Sequence, residues 1–395
     1  MKIKGLPLKS KIKDFTNTVL LLPERLADVA SSSDKEVMSP DKFNANIVAA
    51  QLHPKEQTLV ITDIETVSSD FKRYTFKAKN KRAAYFRAGQ YLSFRINIGS
   101  AVVTRAYSIS SSPCDALNNK YQIAVKRVPD GFVSGYILDE WKIGDEVIAY
   151  APEGTFVYEP LRDAKTVIGV AGGSGITPFI SFAKAIDEGT EDFSLTLLYG
   201  AKTKKDLAFK DELDEIAKRT KKVKVIYVLS NSKANGFEHG FIDAELISKY
   251  APKKADYSIF ACGPEGMYSF LKNEIEKLGL RRKFVRFEMQ GVSKNTVKNA
   301  NIEEKTFTLT VINCGEKIEY KCEATETILV ALEKASVCVP VRCRSGECGF
   351  CRSKLLSGSV FIPEGIDRRR IADAKFGYIH PCCTYPTSDI TLKIN

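Results

Sequence analysis

The chain has 395 residues, 44% hydrophobic and 27% charged, with 59 Lys+Arg against 48 Asp+Glu, 10 cysteines and 3 histidines. That length predicts two or three domains, and the apolar fraction excludes a disordered chain. No apolar run approaches the ~20 residues of a membrane span, and the lysine-rich start leads to Val19–Leu22 and Pro23 without a signal-peptide core, so a cytoplasmic protein is expected.

The net charge of +11 is spread thin, as +2 over residues 1–50, +7 over 51–297 and +2 over 298–395. No basic module of a nucleic-acid binder accompanies it, so a nucleic-acid partner is not expected. The cysteines are uneven: Cys114 and Cys262 stand alone, while Cys314, Cys322, Cys338, Cys343, Cys348, Cys351, Cys382 and Cys383 crowd the last quarter. In a cytosolic chain that clustering favours a metal centre over disulfides.

In chain order, residues 1–50 carry no motif and are set apart as an N-terminal extension. Residues 51–158 read as short strands, among them Thr58–Thr62, Tyr91–Arg95 and Tyr121–Val125, and predict a barrel or sandwich. Residues 159–290 change rhythm. Strands at Val167–Ala171, Leu195–Tyr199, Val223–Leu229 and Tyr257–Ala261 alternate with helices near Pro178–Asp187, Asp206–Arg219, 243–249 and 265–278, which predicts a parallel sheet with crossover helices. Polar, aperiodic residues 291–304 read as a linker. Residues 305–395 open with a hairpin, Thr306–Ile312 and Ile318–Cys322, leading to a helix over Ile328–Ala335.

The strongest motif is Cys343-Arg-Ser-Gly-Glu-Cys348-Gly-Phe-Cys351, a C-x4-C-x2-C loop with Cys382 farther on. Three thiolates on one loop and a fourth from a distant segment suit a [2Fe–2S] cluster with plant-type spacing. Zinc would call for a second C-x2–4-C knuckle, which is missing. Of the adjacent Cys382 and Cys383 only one can face the cluster from an extended chain. His380 reads as structural and Cys338 as a small core residue.

Further motifs carry the other chemistry. Arg105-Ala-Tyr107-Ser108 sits in a strand-like run, and Gly131-Phe-Val133-Ser134 opens a helical stretch with Ser134 as the expected N-cap, its amides facing an anion. Gly172-Gly173-Ser-Gly175-Ile-Thr177-Pro178 joins a strand to a helix, with Thr177 as the expected cap and Pro178 suited to the first turn. Cys262-Gly263-Pro264-Glu-Gly-Met267 follows a later strand.

Residues 305–395, with the tail Cys382-Cys-Thr-Tyr-Pro-Thr-Ser-Asp389, resemble a plant-type ferredoxin domain, and the position of the proline in that tail selects Cys382 as the fourth ligand. The barrel and α/β motifs resemble the ferredoxin–NADP reductase superfamily, and the likeness spans roughly residues 51–395. It implies a multidomain α+β and α/β protein: an antiparallel flavin-binding β-barrel, a doubly wound parallel-sheet nucleotide domain and a C-terminal β-grasp ferredoxin domain. By the same resemblance Arg105 grips the flavin phosphate, Tyr107 lies against the isoalloxazine, Ser108 bonds near N5, and Gly131, Val133 and Ser134 hold the pyrophosphate. Gly172, Gly173, Gly175, Thr177, Gly263, Pro264 and Met267 form the nucleotide site, Cys262 lies near the nicotinamide, and Glu288 beside the flavin.

The implied activity takes electrons from NADH or NADPH through FAD, favoured over FMN, to the cluster and on to a soluble acceptor protein such as an oxygenase. Nicotinamide gives two electrons together while the cluster accepts one, and a flavin bridges the mismatch. Lys202, Lys204 and Lys205 could meet a 2′-phosphate, but the absence of an arginine fork leans toward NADH. The alternative is a non-catalytic redox-sensing or electron-distributing subunit.

Overall fold

The computed structural model describes residues 44–288, 303–313 and 315–394, with scattered helical positions between 15 and 30. The chain forms two compact units, residues 1–51 and 52–395. Ile47 and Val48, on the helix Asn44–Leu52, are exposed. Residues 291–302 of the expected linker lie outside the described residues.

The second unit begins with β1 (Glu56–Ser68), β2 (Phe71–Ala78), β3 (Tyr91–Ile98), β4 (Ala101–Ser108), β5 (Tyr121–Lys126) and β6 (Glu146–Tyr150), hydrogen-bonded in the order β4-β3-β6-β1-β2-β5. Every pairing is antiparallel. Alternation sends Gln57, Leu59 and Ile61 inward from β1, as the two-residue period of a strand requires. The sheet curls until its edges meet only at one end, through an Ile109–Ile123 bridge and a Ser110 N–H donated to Gln122 O at 2.7 Å. The expected barrel is therefore a half-barrel. Trp141 fills it, edge-on to Tyr74 at 5.6 Å and to Phe76 at 6.1 Å, and each such buried ring contributes about 2–3 kcal/mol.

Next come β7 (Thr166–Gly172), β8 (Ser194–Ala201), β9 (Val223–Leu229), β10 (Glu238–His239), β11 (Ser258–Cys262) and β12 (Val285–Phe287), all parallel, in the order β10-β9-β8-β7-β11-β12. β7 is buried on both faces after its first residue, as a helix-covered parallel strand must be. Successive strands step one way from β7 and then, at β11, the other, so the strand order reverses between β7 and β11. The expected helix from Asp206 starts later. The Asp206 carboxylate is engaged with the Thr203 N–H at 2.9 Å in a short 3₁₀ turn, Phe209 takes φ +57°, and the α-helix runs Lys210–Arg219.

The last module contains β13 (Thr306–Asn313), β14 (Glu316–Glu323), β15 (Ser353–Ser357), β16 (Val360–Phe361), β17 (Tyr378–Ile379), β18 (Tyr385–Pro386) and β19 (Ile390–Ile394). Its main sheet has the order β14-β13-β19-β15-β17, with the central pair β13 and β19 parallel and its neighbours antiparallel. The helix Ile328–Lys334, N-capped by Thr327, buries Ile328, Leu329, Ala331 and Leu332 in the core of this module. This is the β-grasp arrangement.

Candidate functional site

In an open α/β sheet the crevice beyond the strand ends at the reversal of strand order is where a ligand fits. Both glycine-bearing loops of the sequence lie there, one after β7 and one after β11. They touch: a Cβ on Gly175 would stand 2.1 Å from Cys262 O, so only glycine lets the two backbones approach. Gly173, at φ +53°, faces open space, and Pro264 is exposed at the rim. Thr177 does not cap as expected. It is the first helical residue, and its hydroxyl donates to Ser174 O at 2.8 Å.

Cys262 is fully buried, and burial, followed by the nearby Glu288 charge, pushes its thiol well up. Tyr268 organises this corner. Its hydroxyl accepts from Gly263 N–H at 3.1 Å, donates to the Glu288 carbonyl and bonds the Cys262 thiol. Glu288 is tied to β11 by a 2.9 Å bond from its N–H to Ala261 O. Its carboxyl is pushed well up by burial first, then by the charges of Glu347 and Cys343.

On the half-barrel, Tyr107 and Ser108 close β4, with Tyr107 6.2 Å from the Phe94 ring and Ser108 directly opposite Tyr91 of β3. Among the described residues Arg105 donates one hydrogen bond, to its neighbour Thr104 O at 2.8 Å. Burial, then the charge of Arg344, lowers its pKa to about 10. A half-buried guanidinium so sparsely compensated suits an anion such as a flavin phosphate. Gly131, not Ser134, is the N-cap of the helix Phe132–Glu140. The Ser134 hydroxyl instead accepts from Val128 N–H at 3.1 Å, drawn back into the preceding turn. The Val133 side chain belongs to the half-barrel core, which leaves only its backbone to face a ligand.

The four cysteines resolve into two pairs. Cys343 accepts amides from Ser345 and Cys348, each at 3.4 Å, and is bonded by the Cys348 thiol, which holds it well below an ordinary thiol. Cys351 and Cys382 sulfurs are 3.5 Å apart. That approaches the ~3.7 Å edge of a tetrahedron with metal–sulfur bonds near 2.3 Å. Among the described residues no three His, Cys, Asp or Glu side chains converge on one point. Four thiolates gathered as two pairs suit a [2Fe–2S] cluster, which would be held by Cys343, Cys348, Cys351 and Cys382. The Cys383 thiol bonds that of Cys382 and lies 3.5 Å from His380 O and 2.9 Å from where a Cβ of Gly346 would be. His380 is buried and bonded to Gly346 O at 2.8 Å. Cys338 is exposed, not core, because the extended segment alternates and turns Val339 inward instead.

The cluster loop packs on the half-barrel. Ser93 donates to Arg342 O at 3.2 Å and Ser336 to Ser100 O at 2.9 Å. The Arg342 guanidinium lies 3.5 Å from the Tyr150 ring centre and 4.7 Å from that of Phe350, and pairs with Glu153 at 3.4 Å. Glu333 pairs with Arg344 and lies 3.9 Å from Arg105. Burial pushes the Tyr91 phenol far up, and the charges of Cys343, Cys348 and Glu288 add to it. Tyr91, Tyr268, Glu333, Arg342 and Arg344 are site neighbours that sequence reasoning missed. Only the Tyr at the end of the Cys262–Met267 motif had a local signal.

Three family descriptions match: an oxidoreductase FAD-binding domain over residues 58–158, an oxidoreductase NAD-binding domain over 170–273, and a 2Fe-2S iron-sulfur cluster binding domain over 311–387. The glycine betaine monooxygenase reductase subunit of Chromohalobacter salexigens is 27% identical over 345 residues, covering 82% of this chain and 91% of that protein. NADH-cytochrome b5 reductase 1 of Candida glabrata is 30% identical over 241 residues, covering 60% of this chain and 84% of that protein. The solved structure of phthalate dioxygenase reductase, described as a modular structure for electron transfer from pyridine nucleotides to [2Fe-2S], aligns with TM-score 0.63 and 26% identity, covering 86% of this chain and 98% of that one.

Proposed function

The chain belongs to the ferredoxin–NADP reductase superfamily, as a flavoprotein reductase with a C-terminal plant-type [2Fe–2S] domain, and on that premise we propose how its residues divide the work and what it serves. It is an NAD(P)H-dependent oxidoreductase that carries electrons through FAD to a [2Fe–2S] cluster. The flavin, when bound, accepts electrons in pairs and releases them singly. Residues 51–158 form the flavin domain, 159–290 the nucleotide domain, 291–304 the linker and 305–395 the cluster domain, behind the extension 1–50.

In this reading Arg105 binds the flavin phosphate, Tyr107 and Ser108 position the ring, and the backbone of Gly131, Val133 and Ser134 lines the pyrophosphate. The loops Gly172–Thr177 and Cys262–Met267 orient the nicotinamide. The raised pKa of Cys262 keeps its thiol protonated, so it packs and positions and does not attack. Burial favours the neutral form of the Glu288 carboxyl, which in this reading sits beside the flavin. Cys343, Cys348, Cys351 and Cys382 hold the cluster.

The supporting observation is a convergence: Tyr91 of the half-barrel and Glu288 of the nucleotide domain both lie within electrostatic reach of Cys343 on the cluster loop. In this reading the nucleotide crevice, the flavin strand and the cluster loop come together there, and the 3.2 Å bond from Ser93 of the half-barrel to Arg342 O of the cluster loop supports it. The onward acceptor is a soluble protein, an oxygenase or another metalloenzyme, in the cytoplasm; relatives that are oxygenase reductase subunits support this. Among the described residues no helix is long and apolar enough to cross a membrane. Family membership favours an enzyme over a non-catalytic redox-sensing subunit. Anaerobic addition of NADH or NADPH to the purified protein should bleach the flavin band and then the cluster band. Failure to bleach either band with both nucleotides overturns the reading.

A further inference from the structure

We propose that the flavin-phosphate site of this chain is built from two domains, with Arg344 of the cluster loop as a second phosphate-binding cation beside Arg105. The proposal rests on the assignment of Arg105 to the flavin phosphate and extends it across the domain seam.

Three charged side chains meet at that seam. Glu333, on the helix Ile328–Lys334, is ion-paired through Oε1 with Arg344 and presents Oε2 to Arg105 Nη1 at 3.9 Å, too far for a hydrogen bond. Side-chain exposures of 29% for Arg105, 14% for Arg344 and 8% for Glu333 place the group largely out of water. Two guanidiniums against one carboxylate leave one positive charge over. Excess buried charge of one sign is unfavourable until a counter-ion completes it. Arg344 is also held at φ +57°, a left-handed conformation that a non-glycine residue seldom adopts.

A phosphate ester completes this arrangement. It carries negative charge and several acceptor oxygens, and two planar guanidinium forks can each donate to it. Glu333 acts as the positioning carboxylate that holds the pair in register. Because Arg344 belongs to the cluster domain and Arg105 to the half-barrel, flavin nucleotide then links the two, and by reciprocity their packing tightens flavin binding.

The test uses the full-length protein after flavin is stripped, titrated with FAD, FMN and riboflavin by flavin fluorescence, with iron content checked in each variant. FAD and FMN share the ribityl phosphate and riboflavin lacks it. R344Q should raise the Kd for FAD and for FMN about tenfold or more, leave riboflavin within twofold, and match the pattern of R105Q. R344K, which keeps charge without the fork, should show a smaller loss confined to the same two ligands and serves if R344Q loses its cluster. R105Q discriminating between the ligands while both Arg344 variants do not would overturn the proposal and leave Arg105 in its role. An equal effect on FAD, FMN and riboflavin in all three variants would overturn both. An equal loss for all three flavins in the Arg344 variants would mark a merely structural residue, and a loss confined to FAD would move Arg344 to the second phosphate; each overturns the proposal.

Discussion

Replacing Gly175 by alanine tests whether the nucleotide site depends on direct contact of two loops. The added Cβ would stand 2.1 Å from Cys262 O, 2.4 Å from Cys262 C and 2.6 Å from Gly263 N. All three are backbone atoms, so no side chain can swing away. Ordinary contact requires the loops to part by roughly 1 Å, and a misplacement of that size near reacting groups costs on the order of a hundredfold in rate. Overpacking of this kind costs about 1–3 kcal/mol in stability, small enough for the fold to survive. The assay is steady-state reduction of ferricyanide with NADH and NADPH, alongside flavin and iron content. G175A should lower kcat/KM for the nucleotide about a hundredfold while both cofactors stay bound. G173A, at a positive-φ position with nothing within 4 Å, is the control for backbone strain alone and should lose much less. A G175A protein with kcat/KM within threefold of the parent would refute the loop-contact argument.

Three further outcomes follow from the geometry. C382S should abolish the cluster spectrum and reduce iron content, whereas C383S should retain both, because Cys382 faces Cys351 and Cys383 does not. Glu212 bonds Lys184 at 2.9 Å and Arg73 at 2.7 Å between the half-barrel and the nucleotide domain. Burial opposes its ionisation, but Lys184 and then Arg73 outweigh it, so its pKa is lowered in the folded state. A depressed carboxylate stabilises above its unfolded pKa and loses that contribution as pH falls through the folded value. E212Q should therefore destabilise by about 1–3 kcal/mol at pH 7, with the gap to the parent closing below about pH 4 in denaturant melts. R342A removes a guanidinium held between Tyr150 and Phe350. Stopped-flow should show severalfold slower cluster reduction with unchanged flavin reduction, on the ~1–2 kcal/mol scale of such contacts.

Much of this architecture was legible in the sequence because it is local. The parallel strands are apolar runs such as Val167–Ala171, and the cysteine loop fits within nine residues. Finer assignments failed where two local solutions compete. Ser134 and Thr177 both suit an N-cap, yet each hydroxyl found a nearer backbone partner, and Asp206 spent its carboxylate on a turn instead of opening a helix. Cys338 followed the alternation of its neighbours, not its own hydrophobicity. The junction was illegible for a different reason. Arg342 meets Tyr150 and Glu333 meets Arg105 across about two hundred residues, and nothing in either segment alone signals the other.

The two sulfur pairs differ in how far the chain must fold to make them. Cys343 and Cys348 lie on one loop, five positions apart, and can find each other early. Cys351 and Cys382 are separated by thirty residues that include β15, β16 and β17. Clasping the ends of such a segment removes chain entropy worth about 3–4 kcal/mol, on the scale of a disulfide closing a similar loop. A cluster held by these cysteines would in that sense staple a small domain that already buries its own core of Leu309, Val311, Leu332 and Leu392.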